Sequence, residues 1–443
     1  MKHAFIIYLL KNLIYTRCCV LRDAGRIHTQ DTHAAKMNTK QQEVFSLVQQ
    51  GHNVLLTGPA GTGKTYTMKH IIDWAHSRYK KTGVTASTGM AAYLLQGKTI
   101  HSFLGIGLGS KPASQLSAIV KSKNVALWNK LRTLDILIID EISMIKDELL
   151  DKISDFLSIV RGENTKPFGG VQMILCGDFC QLPPVDGQFC FQSDSWKKAN
   201  MKICVLEELV RQSGDIAFQD MLQKLRWGNC TADILKKLKG LKTTQFQGVI
   251  PTKLYSVNVD VDKINREEFE ALKNDTGAAE VQYSTRYSTN PNTDAWCKSI
   301  RVPENIVLCP GAQVMITWNM GPDLVNGTRC VVVRCTADGP VIRLLNGQEI
   351  LIEYIKITSE DDEGIYCNFI PLRLAYAISI HKSQGMTLDA VEMDLGDSIF
   401  EYGQAYTALS RARSLDSVRI TKVKASSFRT NPTVKKFYEN VSI

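Results

Sequence analysis

The apolar positions before Asn200 fall into short runs separated by helix-patterned text. Asn53 to Thr57 reads as a strand, and helical text through Trp74 follows the loop after it. Val84-Thr85, Leu134 to Ile139 and Val171 to Cys176 are the next strands. The run LDILII has Asp135 as its one polar member, the pattern of a strand buried on both faces of a parallel sheet. Strands alternating with helices predict a parallel α/β domain over residues 37–200. A second α/β domain is expected over 201–300 and 367–443. Text of another kind interrupts it at 301–366. Gln313 to Thr317, Arg329 to Arg334, Val341 to Leu345 and Glu349 to Glu353 are short β-rich runs. Asn326-Gly327, Asp338-Gly339 and Asn346-Gly347 supply hairpin turns between them. Strands at that spacing predict a small barrel. Within the first domain, residues 104–133 read as a glycine-rich loop and a short amphipathic helix carrying Lys111, Lys121, Lys123 and Lys130.

The chemistry begins between the first strand and its helix. Gly58-Pro59-Ala60-Gly61-Thr62-Gly63-Lys64-Thr65 is G-x-x-x-x-G-K-[ST] in strand–loop–helix context. Its glycines let backbone N–H groups wrap a polyphosphate at a helix start. Lys64 is suited to the β- and γ-phosphates, and the Thr65 hydroxyl to Mg²⁺. The second strand-end feature is Asp140-Glu141, 76 residues after Lys64. Asp140 is placed to support the metal and Glu141 to polarise an attacking water. Val171 to Cys176 ends in Gly177-Asp178-Phe179-Cys180-Gln181-Leu182-Pro183-Pro184. There Gln181 reads either as a γ-phosphate contact or as part of a surface turn.

Charge adds one permission. Lys plus Arg is 53 against 44 acids, a net +9, which allows phosphate-rich partners without requiring them. The twelve cysteines include no C-x-x-C pair and no nearby histidine to complete a zinc set, so buried thiols in a reducing compartment are expected. No apolar run reaches the roughly 20 residues a membrane-spanning helix needs. Residues 1–36 carry six Lys/Arg against Asp23 and Asp31, read either as a mitochondrial targeting segment or as an unstructured extension.

Taken in order, these motifs resemble superfamily 1 DNA helicases, most of all the petite-integration-frequency (PIF) family related to RecD-type helicases. The resemblance runs from about Met37 to Lys422. Met37-Asn38-Thr39-Lys40-Gln41 resembles the adenine-reading segment and implies that Gln41 contacts the base of ATP. Thr85-Ala86-Ser87-Thr88-Gly89-Met90-Ala91-Ala92 and Thr99-Ile100-His101-Ser102-Phe103 look like strand-contacting segments. Lys166-Pro167-Phe168-Gly169-Gly170 and the Gly177 to Pro184 string match the family's most characteristic stretch, with Cys180 replacing a usual aromatic. Leu209-Val210-Arg211-Gln212 implies that Arg211 reaches the γ-phosphate. The string Ala377 to Thr387 (AISIHKSQGMT) resembles the fifth motif. Tyr406-Thr407-Ala408-Leu409-Ser410-Arg411-Ala412-Arg413 resembles the sixth, with Arg411 as the arginine finger.

The resemblance implies an α/β fold of two RecA-like P-loop motor domains. It adds a small accessory insert in the first and an SH3-like β-barrel insert in the second. It implies ATP and Mg²⁺, with Lys64, Asp140, Glu141, Gln181, Arg211 and Arg411 in catalysis, and Thr88, His101, Phe103, His381 and Lys382 along single-stranded DNA. Taken alone, Phe103 reads better as a core residue. The expected protein is a monomeric 5′-to-3′ DNA helicase acting on forks, G-quadruplexes or RNA–DNA hybrids, in repair, recombination or telomere maintenance. It would reside in the nucleus, the mitochondrion or a virus-infected cell. Two alternatives stay open: a translocase that does not separate strands, and a nucleotide-gated switch.

Overall fold

The computed structural model describes residues 37–441 apart from 108, 209–214, 245, 247–250, 257–258, 300–301, 319, 321–323, 325–327, 345–346, 359–363 and 389. The expectations for residues 1–36 and for Arg211 therefore lie outside the described residues.

Six strands build the first lobe: β1 (Val54–Thr57), β2 (Thr82–Ala86), β3 (Lys98–Thr99), β4 (Ile136–Asp140), β5 (Gln172–Gly177) and β6 (Lys202–Val205). They pair in parallel in the order β3-β2-β4-β5-β1-β6. Every residue of β1 and β4 is buried, as the unbroken apolar runs require. One face carries Val54, Leu56, Met68, Ile71, Ile138 and Ile174, and a second cluster including Leu55, Leu137, Ile139 and Leu175 lies on the other. The lobe runs past residue 200, because Lys202–Val205 pairs residue for residue with Val54–Thr57. Where one short helix and a loop were expected, helices Ala113–Lys123 and Val125–Arg132 pack on the helix Asp147–Arg161. Asn124 separates the two, its Oδ1 accepting from Leu127 N at 2.8 Å as a cap for the second.

The second lobe opens with β7 (Thr252–Tyr255) and then gives way to a β-rich unit. Strands β8 (Val281–Ser284) and β10 (Asn305–Leu308) pair with each other. Strand β9 (Arg286–Tyr287) joins β15 (Ile355–Thr358) and β16 (Tyr366–Phe369). Strands β11 (Gln313–Ile316), β12 (Arg329–Cys335), β13 (Pro340–Leu344) and β14 (Glu349–Leu351) fall on the four predicted β runs. With β17 (Leu372–Leu374) they form an antiparallel sheet ordered β14-β13-β12-β11-β17. The unit has its own core of Leu308, Val314, Ile316, Val332, Ile342 and Leu372. It reaches beyond 301–366 on both sides, since β8 and β17 supply pairing that the inner strands lack. The chain then returns through β18 (Ala377–Ser379), β19 (Val391–Leu395) and β20 (Val418–Val423), which complete a parallel sheet β18-β7-β19-β20.

The C-terminal helix Pro432–Glu439 was expected in the second lobe but packs against the first. Phe437 stacks on Phe191 and meets Phe179 edge-on, and the Tyr438 hydroxyl lies 2.6 Å from Thr57 Oγ1. Cys180, beside that aromatic cluster, is buried, its N–H donating to Asp178 Oδ1 at 3.1 Å.

Candidate nucleotide site and strand contacts

The carboxyl ends of β1, β4 and β5 are neighbours in the first sheet, so the loops that follow them converge, as ligand-binding loops do in open parallel sheets. The loop after β1 needs glycine at its first position. Gly58 has φ +145°, and a Cβ there would sit 2.2 Å from Leu206 O. Gly63 is left-handed and opens the helix Lys64–Ser77. The Lys64 ammonium folds back onto the carbonyls of Gly58 and Pro59, each 2.8 Å away. Burial pushes its pKa below the usual lysine value, opposed by the charge of Asp178. The Thr62 hydroxyl ties the loop by donating to Pro59 O at 3.0 Å.

Asp140 ends β4 almost fully buried. Burial and the neighbouring Glu141 push its carboxyl up to about 7, in spite of a hydrogen bond from Cys176. Glu141 is left-handed (φ 52°), and two bonds from Ser87 hold this turn: its N–H to Asp140 O and its hydroxyl to Glu141 O. The Gln384 amide nitrogen, from the turn after β18, donates to Glu141 Oε2 at 2.8 Å and approaches Ser143 Oγ at 3.3 Å. A carboxylate only accepts, so this contact fixes which end of the amide faces it.

Gln181 and Arg411 meet across the cleft, Arg411 Nη2 donating to Gln181 Oε1 at 3.2 Å. Arg411 is buried and aimed by Thr407 O, Met386 O and Ser410 Oγ. The turn before the helix Gln404–Leu409, which precedes Arg411, also packs on Gln181. A Cβ on left-handed Gly403 would stand 2.3 Å from Gln181 O, so that position requires glycine.

Beneath the loop lies a second junction. Arg226 and Asp178 are buried and paired, Nη2 to Oδ1 at 2.9 Å with Nε bonded to both carboxylate oxygens. The Tyr406 hydroxyl accepts from Ala60 N at 3.2 Å and donates to Asp178 Oδ2 at 3.3 Å. The Arg226 guanidinium also lies over the Trp227 and Tyr438 rings.

These groups enclose a cavity of about 220 Å³ lined by Gly61, Gly63, Lys64, Thr65, Asp140, Glu141, Gln181 and Arg411 among others. Ala60 also lines it, whereas Gly58, Pro59 and Thr62 shape the loop behind. Gln41 is buried in the helix Thr39–Gln49 and does not line it. Buried Asp140 and half-buried Glu141 line this cavity together with Thr65, and such an acid pair fits a divalent cation, because an uncompensated buried carboxylate otherwise holds a proton. Gln384, Asp178 and Tyr406 lie within motif strings visible in the sequence, but their contacts are not. Arg226 carries no motif signal.

The expected strand contacts divide. Thr88 is half-buried, and its hydroxyl accepts from Ala91 N at 3.2 Å. His101 and His381 are half-buried, and burial pushes both imidazoles below their usual pKa, so at neutral pH they offer a ring and a hydrogen bond rather than charge. Lys382 is exposed. Phe103 is a correction. It is buried in the core against Gly83, with the Lys130 ammonium 5.2 Å above its ring, and offers no face to a base.

Two parallel-sheet lobes, with a P-loop on one and an arginine reaching over it from the other, define a RecA-type P-loop nucleotide-binding fold. The family model for PIF1-like helicases matches residues 36–235. The chain is 39% identical over 423 residues to the ATP-dependent DNA helicase PIF1 of Xenopus laevis, covering 92% of this chain and 64% of that protein. It therefore spans about two thirds of that relative's length, falling just short of that share. The crystal structure of Pif1 helicase from Candida albicans superposes with TM-score 0.82 at 34% identity, covering 92% of this chain and all of that one. A Bacteroides Pif1 in complex with ADP-AlF3 and single-stranded DNA has TM-score 0.70 at 29% identity, covering 91% and 97%. The chain belongs to the PIF1-like helicase family.

Proposed function

We propose that the protein is an ATP-dependent DNA helicase that moves along single-stranded DNA and separates duplex ahead of it. The observation that carries this reading is Arg411 of the second lobe bonded to Gln181 of the first above the P-loop cavity. Hydrolysis then depends on closing two lobes, which converts a chemical cycle into a cycle of domain movement.

In this mechanism Lys64 leaves the carbonyls of Gly58 and Pro59 for the β- and γ-phosphates of ATP. Gln181 and Arg411 face the γ-phosphate, and Arg411 offsets charge that develops during transfer. Glu141 accepts a proton from the attacking water while Gln384 fixes its carboxylate. Thr65 and Asp140 would hold Mg²⁺, which supplies further charge neutralisation at the phosphates. His101, His381 and Lys382 serve the strand by stacking, hydrogen bonding and charge. The 5′-to-3′ direction, action on forks, G-quadruplexes or RNA–DNA hybrids, and roles in genome maintenance belong to the reading through family resemblance.

The test is steady-state ATPase with and without single-stranded DNA, beside unwinding of forks bearing one 5′ or one 3′ tail. DNA-stimulated hydrolysis with opening from the 5′ tail alone is expected. Stimulated hydrolysis with neither fork opened would replace the helicase by a translocase, and absence of stimulation would remove the strand contacts.

A further inference from the structure

The phosphate loop is braced from outside as well as from within. Two of its side chains bond to its own carbonyls: Thr62 Oγ1 to Pro59 O at 3.0 Å, and the Lys64 ammonium to Gly58 O and Pro59 O at 2.8 Å each. The Ala60 N–H is held differently. It donates at 3.2 Å to the hydroxyl of Tyr406, 346 residues further along the chain. Tyr406 stands on the helix Gln404–Leu409 of the second lobe, and both it and Ala60 are buried. A backbone donor buried away from solvent needs an acceptor, and here the second lobe supplies it.

The hydroxyl is fixed for that task. It donates its own proton to Asp178 Oδ2 at 3.3 Å, which leaves its oxygen free to accept from Ala60. Burial, then the charge of Asp178, hold its pKa well above the usual tyrosine value, so the proton stays in place. Arg226 in turn keeps the Asp178 carboxylate paired. The start of the helix is pressed onto the loop after β5, since a Cβ on Gly403 would stand 2.3 Å from Gln181 O and 2.4 Å from Cys180 O. One turn beyond Tyr406, Ser410 N donates to Tyr406 O at 2.9 Å, and Ser410 Oγ accepts from Arg411 Nη2 at 2.8 Å. The segment that places Arg411 at the nucleotide cavity therefore also grips the phosphate loop.

We propose that Tyr406 is a positioning residue for nucleotide binding, its hydroxyl holding the Ala60 amide so that the loop backbone keeps the shape that receives phosphate. The inference rests on the nucleotide reading proposed above and deepens it. Affinity for ATP and ADP is set in part by the second lobe, through a contact separate from Arg411. Tyr406→Phe leaves the Ala60 N–H without its acceptor, and the loop turns to find another.

The experiment titrates a fluorescent ADP into the full chain and measures steady-state ATPase with single-stranded DNA, for wild type and Tyr406→Phe. The Kd for ADP and the KM for ATP are expected to rise about tenfold in the variant, the loss of one hydrogen bond with its buried donor left unpaired. At saturating ATP, kcat should stay within about twofold, the signature of an interaction used equally in the ground and transition states. A merely structural role lowers the active fraction instead. In that case kcat and melting temperature fall while KM and Kd keep their wild-type values, and the proposal is overturned. Unaltered Kd, KM and kcat would overturn it as well. Residue-resolved amide exchange on the wild-type chain serves if the variant fails to fold. Ala60 is expected to be protected before ADP is added and little changed after it, whereas Gly61 to Thr65 gain protection. An Ala60 amide that exchanges freely without nucleotide, or gains protection along with the others, would serve the phosphates and not Tyr406, and the proposal would fall. A wild-type chain that binds neither nucleotide removes the functional reading too, a failure distinct from an unaltered variant.

Discussion

Gln384 Nε2 lies 2.8 Å from Glu141 Oε2, although the two side chains are 243 residues apart and belong to different lobes. The amide is buried, and its Oε1 has no hydrogen-bond partner among the described residues. The second lobe thus supplies both Arg411, which lines the P-loop cavity, and the group that holds the Glu141 carboxylate of the first lobe, the residue proposed to polarise water. Replacing Gln384 with Ala is expected to lower kcat about tenfold with less than about a threefold change in KM for ATP, a loss confined to the reacting complex. Equal changes in both constants would make Gln384 a binding residue instead.

Lys64→Ala should abolish hydrolysis while leaving single-strand binding largely intact. Glu141→Gln should still bind ATP, with turnover reduced roughly 10² to 10⁴-fold, the range for a lost general base. Nucleotide-binding titrations beside single-turnover hydrolysis separate the two. Wild-type turnover in Glu141→Gln would move the base elsewhere.

Arg411→Ala removes a donor that reaches the first lobe only when the lobes meet. A fall of about 10³ to 10⁵ in kcat is expected if it acts as the arginine finger. Equilibrium binding of a non-hydrolysable ATP analogue should change far less, and parallel losses in both would reduce Arg411 to a binding contact.

The Asp178–Arg226 pair predicts stability rather than rate. Asp178→Ala leaves a buried guanidinium uncompensated and should cost about 3–5 kcal/mol. Replacing Asp178 and Arg226 together with apolar residues should recover much of it. Urea denaturation reads both, and additive losses in the double variant would contradict the pairing.

His101 and His381 set a pH response. Burial lowers both pKa values in the folded state, so near pH 6.5 the unfolded chain binds more protons than the folded one. Their stabilising contribution is present above that range and declines as pH falls through it. The urea midpoint should drop on acidification, and the drop should shrink in a His101→Asn, His381→Asn variant.

Much of the nucleotide site was legible because its groups sit at strand ends announced by local pattern. The run before Asp140 marks a buried strand, and the glycines before Lys64 mark a tight anion loop. Pairings between lobes were not legible. Tyr406 reaches Asp178, and Tyr438 reaches Thr57, across separations for which sequence offers no period. The β-rich unit was located by its hairpin strands, but its edges were misplaced because β17 lies beyond Tyr366 and pairs back onto β11. Phe103 illustrates the limit of carrying a role over by position. Its neighbour His101 is half-buried, while Phe103 turns inward beneath Lys130.

The folded-back Lys64 has a consequence for the end of the cycle. Its ammonium has two carbonyl acceptors, those of Gly58 and Pro59, within the same loop that cradles phosphate. On the proposed cycle, the lysine would exchange phosphate oxygens for these carbonyls as product leaves. The loop would then carry its own competitor for the departing nucleotide, and discharge of spent product would be favoured from within the site.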